Sequence, residues 1–354
     1  MRIFYVISGF EGGGVEALLS KYIGALPADA DCHIVAQNVV APACQAVFAR
    51  AGVTVHLIPG RKSPLAHRRA LTALFREYRP DIVHVHTGER AAAALAAARR
   101  AGVPRRIHHS HTAKRYEKNP FFCLNLLRSR QTATDLVACG EAAARYAFGK
   151  HAARALVLKN GIDVLKYAFS PAARAETRAA LGLSEDATAV LMIARFAKQK
   201  NHQAALRIFA AYREKNENAV LLLVGCGRQM ARVRRLAARL PAGSVQFLGN
   251  RADVAALLSA ADRFILPSRF EGLPLTLLEA LAAGLSPLVS DRVSREVPSV
   301  CNVTYLPVRD TKAWARALEN ALPQARESAW ESLAQAGFSE SAMLTGLLAL
   351  YHLN

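Results

Sequence analysis

The sequence has no apolar run that approaches the roughly 18 residues a membrane-spanning helix needs. Its apolar opening at residues 3–7 leads directly into glycine-rich sequence and is too short for the apolar part of a signal peptide. Cysteine is scarce, and no Cys-x-x-Cys pair or metal-ligand spacing occurs among Cys32, Cys44, Cys123, Cys139, Cys226 and Cys301. These absences favour a soluble cytoplasmic protein whose cysteines are reduced core residues.

Motifs of several other protein classes are missing as well. Neither G-x-G-x-x-G nor G-x-x-x-x-G-K-[ST] is present, so a dinucleotide-binding fingerprint and a P-loop are both unsupported. No zinc finger, aromatic RNA-binding strand or basic helix with heptads accompanies the formal net charge of +19. A nucleic-acid-binding protein is therefore the weaker alternative, and no nucleic-acid partner is expected.

Strand-like and helix-like patterns alternate along the chain. Strands are predicted at 2–8, 33–36, 53–58, 82–86, 106–109 and 136–138, and again at 189–193, 220–224, 245–248, 263–267, 286–290 and 303–306. This alternation predicts an α/β fold with doubly wound parallel sheets, and 354 residues are more than one core usually supports. Pro171, Gly182 and small polar residues place a linker at 168–184.

The most informative stretch places Glu271 and Glu279 around the start of one helix. The apolar run at 263–267 predicts a buried strand, Pro274 fits the first helical turn, and Gly284 fits a left-handed stop. A strand would therefore deliver Glu271 on a loop, and Glu279 would follow about one helical turn into the helix.

The turn before that helix has the features of an anion site. The backbone of Gly272, Leu273, Pro274 and Leu275 would lie at a helix N-terminus, where free N–H groups and the dipole favour a diphosphate. Each carboxylate can accept two hydroxyl hydrogen bonds, which suits a ligand with a ribose at one end and a hexose at the other. Two surface glutamates that only complement a helix dipole would give the same pattern.

The spacing of Glu271 and Glu279 resembles the Glu-x7-Glu signature of retaining glycosyltransferases of family 4, which have the GT-B fold. The segment from Arg195 to Lys200 is similar to that family's Gly-Arg-x4-Lys-Asn segment, with Ala194 in place of the glycine. Further motifs at 160–163, 221–227 and 245–254 stand in the family's order. The resemblance covers nearly the whole chain and is strongest from 191 to 291.

The resemblance implies two Rossmann-like doubly wound domains that face each other across a cleft. We expect an acceptor-side domain at 1–168, a nucleotide-sugar-binding domain at 169–338, and a C-terminal helix at 339–354 that packs back on the first domain. Parallel sheets bind ligands at the carboxyl ends of their strands, so the motifs of both domains would line the cleft.

The resemblance also implies roles for individual residues. Arg195 and Lys200 would grip the donor diphosphate, Glu271 would contact the donor sugar, Glu279 the ribose, and Arg251 the border of the base. A metal ion is then not required, because two cations and the helix N–H groups balance the phosphate charge.

A strand, glycine loop and helix unit opens the chain. Gly13 and Gly14 stand in that loop, where glycine lets the backbone approach a phosphate or a sugar hydroxyl. We expect them to contribute to donor binding, and a merely tight turn is the alternative.

Histidines occur in two groups near predicted strand ends, His84 with His86, and His108 with His109 and His111. Adjacent strand residues point to opposite faces, and no acidic or cysteine partner recurs at ligand spacing, so no metal site is expected. In the family, a histidine at the corresponding strand end lies beside the donor sugar. His111 matches it best and would bind the transferred sugar, with His109 as the alternative; a packing role for either stays open.

The expected function is a retaining, metal-independent transfer of a hexose or N-acetylhexosamine from a nucleotide sugar, by family habit a UDP-sugar, without a cofactor. The acceptor would be a glycan or a lipid-linked glycan of lipopolysaccharide, capsule or exopolysaccharide biosynthesis. The alternative is another nucleotide-sugar enzyme on the same scaffold, an epimerase or a hydrolase.

Positive charge is concentrated in the first half of the chain. Residues 1–160 contain 23 Lys and Arg against 10 Asp and Glu, a net charge of +13, whereas 161–354 contain 23 against 17, a net charge of +6. The segment 114–130 mixes basic and apolar residues as an interfacial element does. It suits peripheral binding to an anionic membrane on its cytoplasmic face, or else a solvated basic face over an ordinary core helix.

Overall fold

The chain, as a computed structural model, forms two compact units, one of Met1–Lys159 with Leu344–Asn354 and the other of Asn160–Met343. The structure describes residues 1–10, 13–39, 42–113, 120–299, 301–320, 326 and 330–353, with 42–44 described by their backbone only. Each unit has its own parallel sheet, so the predicted α/β class with two doubly wound sheets is confirmed.

The first unit is built on a seven-stranded sheet in the order β3-β2-β1-β4-β5-β6-β7. Its strands are β1 (Arg2–Val6), β2 (Asp31–Ala36), β3 (Thr54–Leu57), β4 (Ile82–Val85), β5 (Arg105–Ser110), β6 (Asp135–Ala138) and β7 (Leu156–Val157). All these neighbours pair in parallel. Ile3, Phe4 and Tyr5 are fully buried, because helices cover both faces of such a sheet.

The helices of the first unit follow the strands in alternation. They are α1 (Gly14–Gly24), α2 (Pro42–Arg50), α3 (Pro64–Tyr78), α4 (Ala92–Arg100), α5 (Pro120–Thr132) and α6 (Glu141–Phe148). Pro64 occupies the first turn of α3 and Arg79 ends that helix in the left-handed conformation with φ of 46°.

The second unit is built on a six-stranded parallel sheet in the order β10-β9-β8-β11-β12-β13. Its strands are β8 (Ala189–Ile193), β9 (Val220–Val224), β10 (Val245–Gly249), β11 (Arg263–Leu266), β12 (Leu288–Ser290) and β13 (Thr304–Leu306). Its helices are α7 (Pro171–Ala180), α8 (His202–Arg213), α9 (Met230–Ala237), α10 (Val254–Ala260), α11 (Leu275–Ala282), α12 (Thr311–Asn320) and α13 (Trp330–Gln335). The predicted strands at 189–193 and 220–224 are confirmed at both ends.

The stretch predicted as a linker, 168–184, is instead largely helix α7. Ser170 Oγ accepts a hydrogen bond from the backbone N of Ala173 at 3.2 Å, and Pro171 stands at the first helical position, so the two residues start a helix. Arg178 is buried on this helix and binds Asp262 at 3.0 Å. The division between the two units falls after Lys159.

The last helix, α14 (Glu340–Tyr351), confirms the helix expected near the C-terminus. Its residues from Leu344 onward belong to the first unit. There Tyr351 is buried, with its hydroxyl 2.6 Å from His84 Nδ1 and 3.3 Å from the hydroxyl of Tyr5. No helix in the described part of the chain combines the length and the apolar character that a membrane crossing requires.

Candidate active site

The loop between β11 and α11 carries Glu271 at the carboxyl edge of the second sheet. Two backbone contacts hold it: Glu271 N donates to Arg292 O at 3.2 Å, and Gly272 O accepts from Ser294 N at 3.2 Å. The Glu271 side chain is only 8% exposed. A carboxylate so buried needs cationic or hydrogen-bonding partners.

Lys200 is the main partner of that carboxylate. Lys200 Nζ lies 2.5 Å from Glu271 Oε1, and Gln199 Nε2 donates to Glu271 Oε2 at 3.2 Å. The same Gln199 amide donates to Phe270 O at 3.0 Å. Asn201, with φ of 58°, donates from Nδ2 to Pro267 O at 3.0 Å. The loop after β8 therefore packs side by side with the loop after β11.

Arg195 belongs to the same group of charges. Burial lowers the pKa of its guanidinium, and the nearby carboxylate of Glu271 opposes this shift. Arg195 and Lys200 thus bring two positive charges to one carboxylate, which leaves a net positive site beside the N-terminus of α11. Such a site favours a ligand with at least two negative charges.

The glycines of the 221–227 motif permit this close approach of loops. Gly225 has φ of 125°, and a Cβ atom there would lie 2.4 Å from Ala194 O. The next turn is fixed by a hydrogen bond of 2.7 Å from Phe196 N to Cys226 O. The loop after β9 is therefore held directly against the segment that carries Arg195.

The turn at 272–275 leads into α11 as predicted, and Gly284 closes the helix region with φ of 68°. Pro274 is the N-cap residue, so helical residues begin at Leu275. Leu273 O accepts a hydrogen bond of 3.1 Å from Asn160 Nδ2. The 160–163 motif thus fixes the turn that ends in the helix N-terminus.

Glu279 lies farther along α11 and is half-buried. The hydroxyl of Tyr167 donates a hydrogen bond to its carboxylate, and burial together with that charge raises the pKa of Tyr167. Neither Tyr167 nor Gln199 was predicted from the sequence.

Arg251 lies apart from these contacts. It is exposed and forms a two-point ion pair with Asp253, with a distance of 2.7 Å from Arg251 Nε to Asp253 Oδ1. The Asp253 carboxylate raises the pKa of Arg251. Its expected place at the border of the base stays a prediction.

Gly13 and Gly14 begin α1 in the first unit, where Gly13 N donates to Glu16 Oε2 at 3.3 Å. The two residues before them, Glu11 and Gly12, lie outside the described residues. The glycine loop is thus a helix start with a buried glutamate as its cap. Its role in donor binding stays a prediction.

The histidines of β4 and β5 lie together, which the argument from adjacent strand residues did not anticipate. His84 and His86 are two residues apart and share a face, as do His109 and His111. His84 Nε2 lies 3.1 Å from His109 Nδ1, and His86 Nδ1 lies 2.8 Å from His111 Nε2. His108 points to the other face, with Nε2 3.1 Å from Gly88 O.

Of the four clustered histidines His84, His86, His109 and His111, only His111 is partly exposed. Burial, with a smaller contribution from His108, lowers the pKa of His111 to about 4, so its ring is neutral near pH 7. A neutral imidazole can donate one hydrogen bond and accept another, as contact with sugar hydroxyls requires. His109 is completely buried, so it is the poorer candidate for ligand contact.

Comparison with known proteins supports a single assignment. The profile of Glycosyltransferase Family 4 matches residues 12–165, and that of Glycosyl transferases group 1 matches residues 173–329. The Bacillus subtilis (strain 168) protein named as the glycosyltransferase EpsF is 31% identical over 100% of this chain and 97% of its own length. The chain belongs to glycosyltransferase family 4.

Other relatives of this family 4 glycosyltransferase agree. An Escherichia coli enzyme, UDP-Gal:alpha-D-GlcNAc-diphosphoundecaprenol alpha-1,3-galactosyltransferase, is 28% identical over 67% of this chain and 63% of its own length. The fold is that of Anabaena HepE in complex with UDP and glucose, at a TM-score of 0.82 and 18% identity over 99% of both chains. The protein is therefore a glycosyltransferase with the GT-B fold.

The residues predicted for the active site fall into two groups, one in each unit. The structure brings together Arg195, Lys200, Glu271 and the turn at 272–275, with Glu279 on the same helix. His111, Gly13 and Gly14 belong to the first unit.

Proposed function

We propose that this family 4 glycosyltransferase moves a hexose or N-acetylhexosamine from a UDP-sugar to a glycan or lipid-linked glycan acceptor, with retention at the anomeric carbon. The product would enter lipopolysaccharide, capsule or exopolysaccharide. The observation that carries the proposal is the ion pair of Lys200 with the buried Glu271, together with Arg195, next to the N-terminus of α11. The names of relatives that use or bind UDP compounds support the choice of base.

The chemical step has one dominant requirement. The bond from the anomeric carbon to the diphosphate oxygen breaks, a bond to the acceptor oxygen forms, and the acceptor proton leaves with the departing diphosphate. Negative charge grows on the leaving phosphates, so cations fixed beforehand lower the barrier. Lys200 is fixed in this way by its ion pair with Glu271, a carboxylate that Gln199 also binds. Arg195 lies in the field of the same carboxylate.

Glu271 is better suited to bind the sugar than to attack it. Its two carboxylate oxygens are engaged by Lys200 and by Gln199, which lowers their reactivity as nucleophiles and leaves lone pairs for sugar hydroxyls. Retention would then follow from attack on the face from which the diphosphate leaves. His111 is proposed to complete the sugar contacts.

We propose that the enzyme needs no metal ion to balance the charge of the donor diphosphate. The Asp-x-Asp spacing at Asp29 and Asp31 does not suit a donor metal, because Asp31 begins β2 and is paired with Arg2 at 2.5 Å and His33 at 2.9 Å. The beginning of a parallel strand lies at the opposite edge from the carboxyl ends where ligands bind. The two cations near Glu271 would serve instead.

Purified protein is expected to gain stability from UDP in the presence of EDTA. At about 100 times the dissociation constant, a ligand adds about 2.7 kcal/mol, which raises the melting temperature of a domain of this size by about 5–10 °C. GDP and ADP, tested in parallel, should give smaller shifts. Equal shifts with all three would contradict a UDP preference, and no shift with any of them would contradict the donor site.

Release of UDP from a UDP-sugar separates the transferase from its alternatives. A transferase releases UDP in proportion to acceptor, a hydrolase releases it without acceptor, and an epimerase releases none while it changes the sugar. The experiment therefore measures the amount of UDP released and the identity of the sugar, with and without a lipid-linked acceptor.

Peripheral binding to an anionic membrane at the cytoplasmic face is proposed through α5. Phe121, Leu124 and Leu127 are 62%, 43% and 41% exposed and recur every third residue on that helix. Arg128 beside them is exposed as well. The basic residues at 114–119 lie outside the described residues. Exposed apolar side chains next to basic ones suit insertion into the headgroup region.

The double change Leu124→Ser and Leu127→Ser is expected to weaken binding to anionic vesicles by about tenfold or more, since each buried leucine contributes about 1.5–3 kcal/mol. Vesicle co-sedimentation measures the change. Leu57→Ser with Leu165→Ser is the matched control, because those leucines are 57% and 62% exposed on other parts of the chain. Equal losses in both double variants would rule out α5 as the contact.

A further inference from the structure

Three histidines meet inside the first unit, at the carboxyl ends of β4 and β5. His84, His86 and His109 each offer a ring nitrogen, and these nitrogens all lie within 4.8 Å of one another. His84 and His109 are 0% exposed and His86 is 6% exposed. We propose that this cluster binds one divalent transition-metal ion, with Zn²⁺ as the ion that three imidazoles suit best.

The positions of the rings fit shared coordination. Ring centroids are 5.2 Å apart for His84 and His109, 5.0 Å for His86 and His109, and 4.2 Å for His84 and His86. Imidazoles on one tetrahedral Zn²⁺, with metal–nitrogen distances of about 2.0–2.1 Å, have centroids about 5 Å apart. The separation of 3.1 Å between His84 Nε2 and His109 Nδ1 is also close to the distance of about 3.3 Å between two such ligand atoms.

The hydrogen bonds within the cluster leave polar atoms unsatisfied. His86 Nε2 and Tyr22 Oη are buried and have no hydrogen-bond partner among the described residues. Buried polar atoms usually have partners, and an ion or a water molecule is the common reason for an exception. His86 Nε2 would therefore be the third ligand atom, and the Tyr22 hydroxyl is the candidate for the fourth. The Tyr22 ring lies 6.4 Å from that of His86.

Tyr351 would support the site from outside the ligand set. With a metal on His84 Nε2, the proton of this imidazole stands on Nδ1 and is donated to Tyr351 Oη, 2.6 Å away. Tyr351 Oη in turn donates to Tyr5 Oη at 3.3 Å. Coordination through His109 Nδ1 would leave the proton of this imidazole on Nε2. The ion would join the C-terminal helix to β1, β4 and β5, which is a structural role.

Zinc titration of the full chain tests the inference. Protein stripped of metal by dialysis against a chelator is expected to bind about one Zn²⁺ per chain in competition with a chromophoric indicator, and Co²⁺ should give the visible absorption of a four-coordinate site. His109→Gln should remove this binding, and Tyr351→Phe should weaken it about 10–100-fold as the loss of an outer partner does. Metal content and absorption are read directly, without an activity assay.

His108→Gln is the matched control. His108 is the neighbour of His109 on β5, is equally buried at 0% exposure, and faces the other side of the sheet. This variant should keep the affinity of the unmodified protein. Failure of the unmodified, folded protein to bind Zn²⁺ would overturn the proposal even if every variant misfolds. Equal affinity in His109→Gln and His108→Gln, each checked by circular dichroism, would overturn it too.

Discussion

Lys200→Met is expected to lower kcat/KM for glycosyl transfer by about 10²–10³, mostly through kcat. Lys200 Nζ lies 2.5 Å from Glu271 Oε1, so the ammonium is fixed before the diphosphate leaves and needs little reorganisation as charge develops. Methionine keeps a side chain of similar length and removes only the charge. Steady-state release of UDP from the UDP-sugar, with acceptor present, measures the loss.

Lys198→Met is the control for this change. Lys198 stands in the same loop but is exposed, and its contribution to the site is a distant charge that salt screens. It should keep kcat/KM within about threefold of the unmodified enzyme. Lys200→Arg should recover part of the activity, because it restores the charge without the geometry. A Lys200→Met enzyme as active as Lys198→Met would show that the leaving diphosphate does not use this ammonium.

Short-range sequence patterns predicted this site better than contacts between distant segments. The strand before Glu271, the helix start at Leu275 and the stop at Gly284 depend on neighbouring residues, so their order along the chain was sufficient. The partners Gln199 and Tyr167 reach Glu271 and Glu279 across separations of 72 and more than one hundred residues. A pattern of neighbouring residues cannot predict contacts between residues so far apart in the sequence.

The linker expectation was wrong, and the argument from the histidines was incomplete, because one local feature permits two structures. Pro171 was interpreted as part of a break, whereas proline after a capping serine begins helix α7. The histidines were compared as adjacent residues, whereas the alternation of a strand puts His84 with His86, and His109 with His111, on a common face. The pairing of β4 with β5 then brings the two pairs together, and that pairing is a property of the fold.

Glu279→Ala is expected to weaken UDP binding by about 10–100-fold, since a hydrogen bond to a charged group contributes about 1.5–3 kcal/mol. The proposed partners are the two ribose hydroxyls, which one carboxylate can accept together. The hydroxyl of Tyr167 orients this carboxylate by donating to it, so Tyr167→Phe should cause a smaller loss in the same direction. Isothermal titration with UDP gives both dissociation constants.

An analogue of UDP tests the same contact without the risk that a variant misfolds. UDP that lacks the 2′ and 3′ hydroxyls should bind the unmodified enzyme as weakly as UDP binds Glu279→Ala. In Glu279→Ala, loss of these hydroxyls should cause no further loss of affinity. Such non-additivity is the mark of two groups that touch each other. Equal further losses in both proteins would mean that Glu279 acts on another part of the donor, and the ribose would then have to be held by other residues near α11.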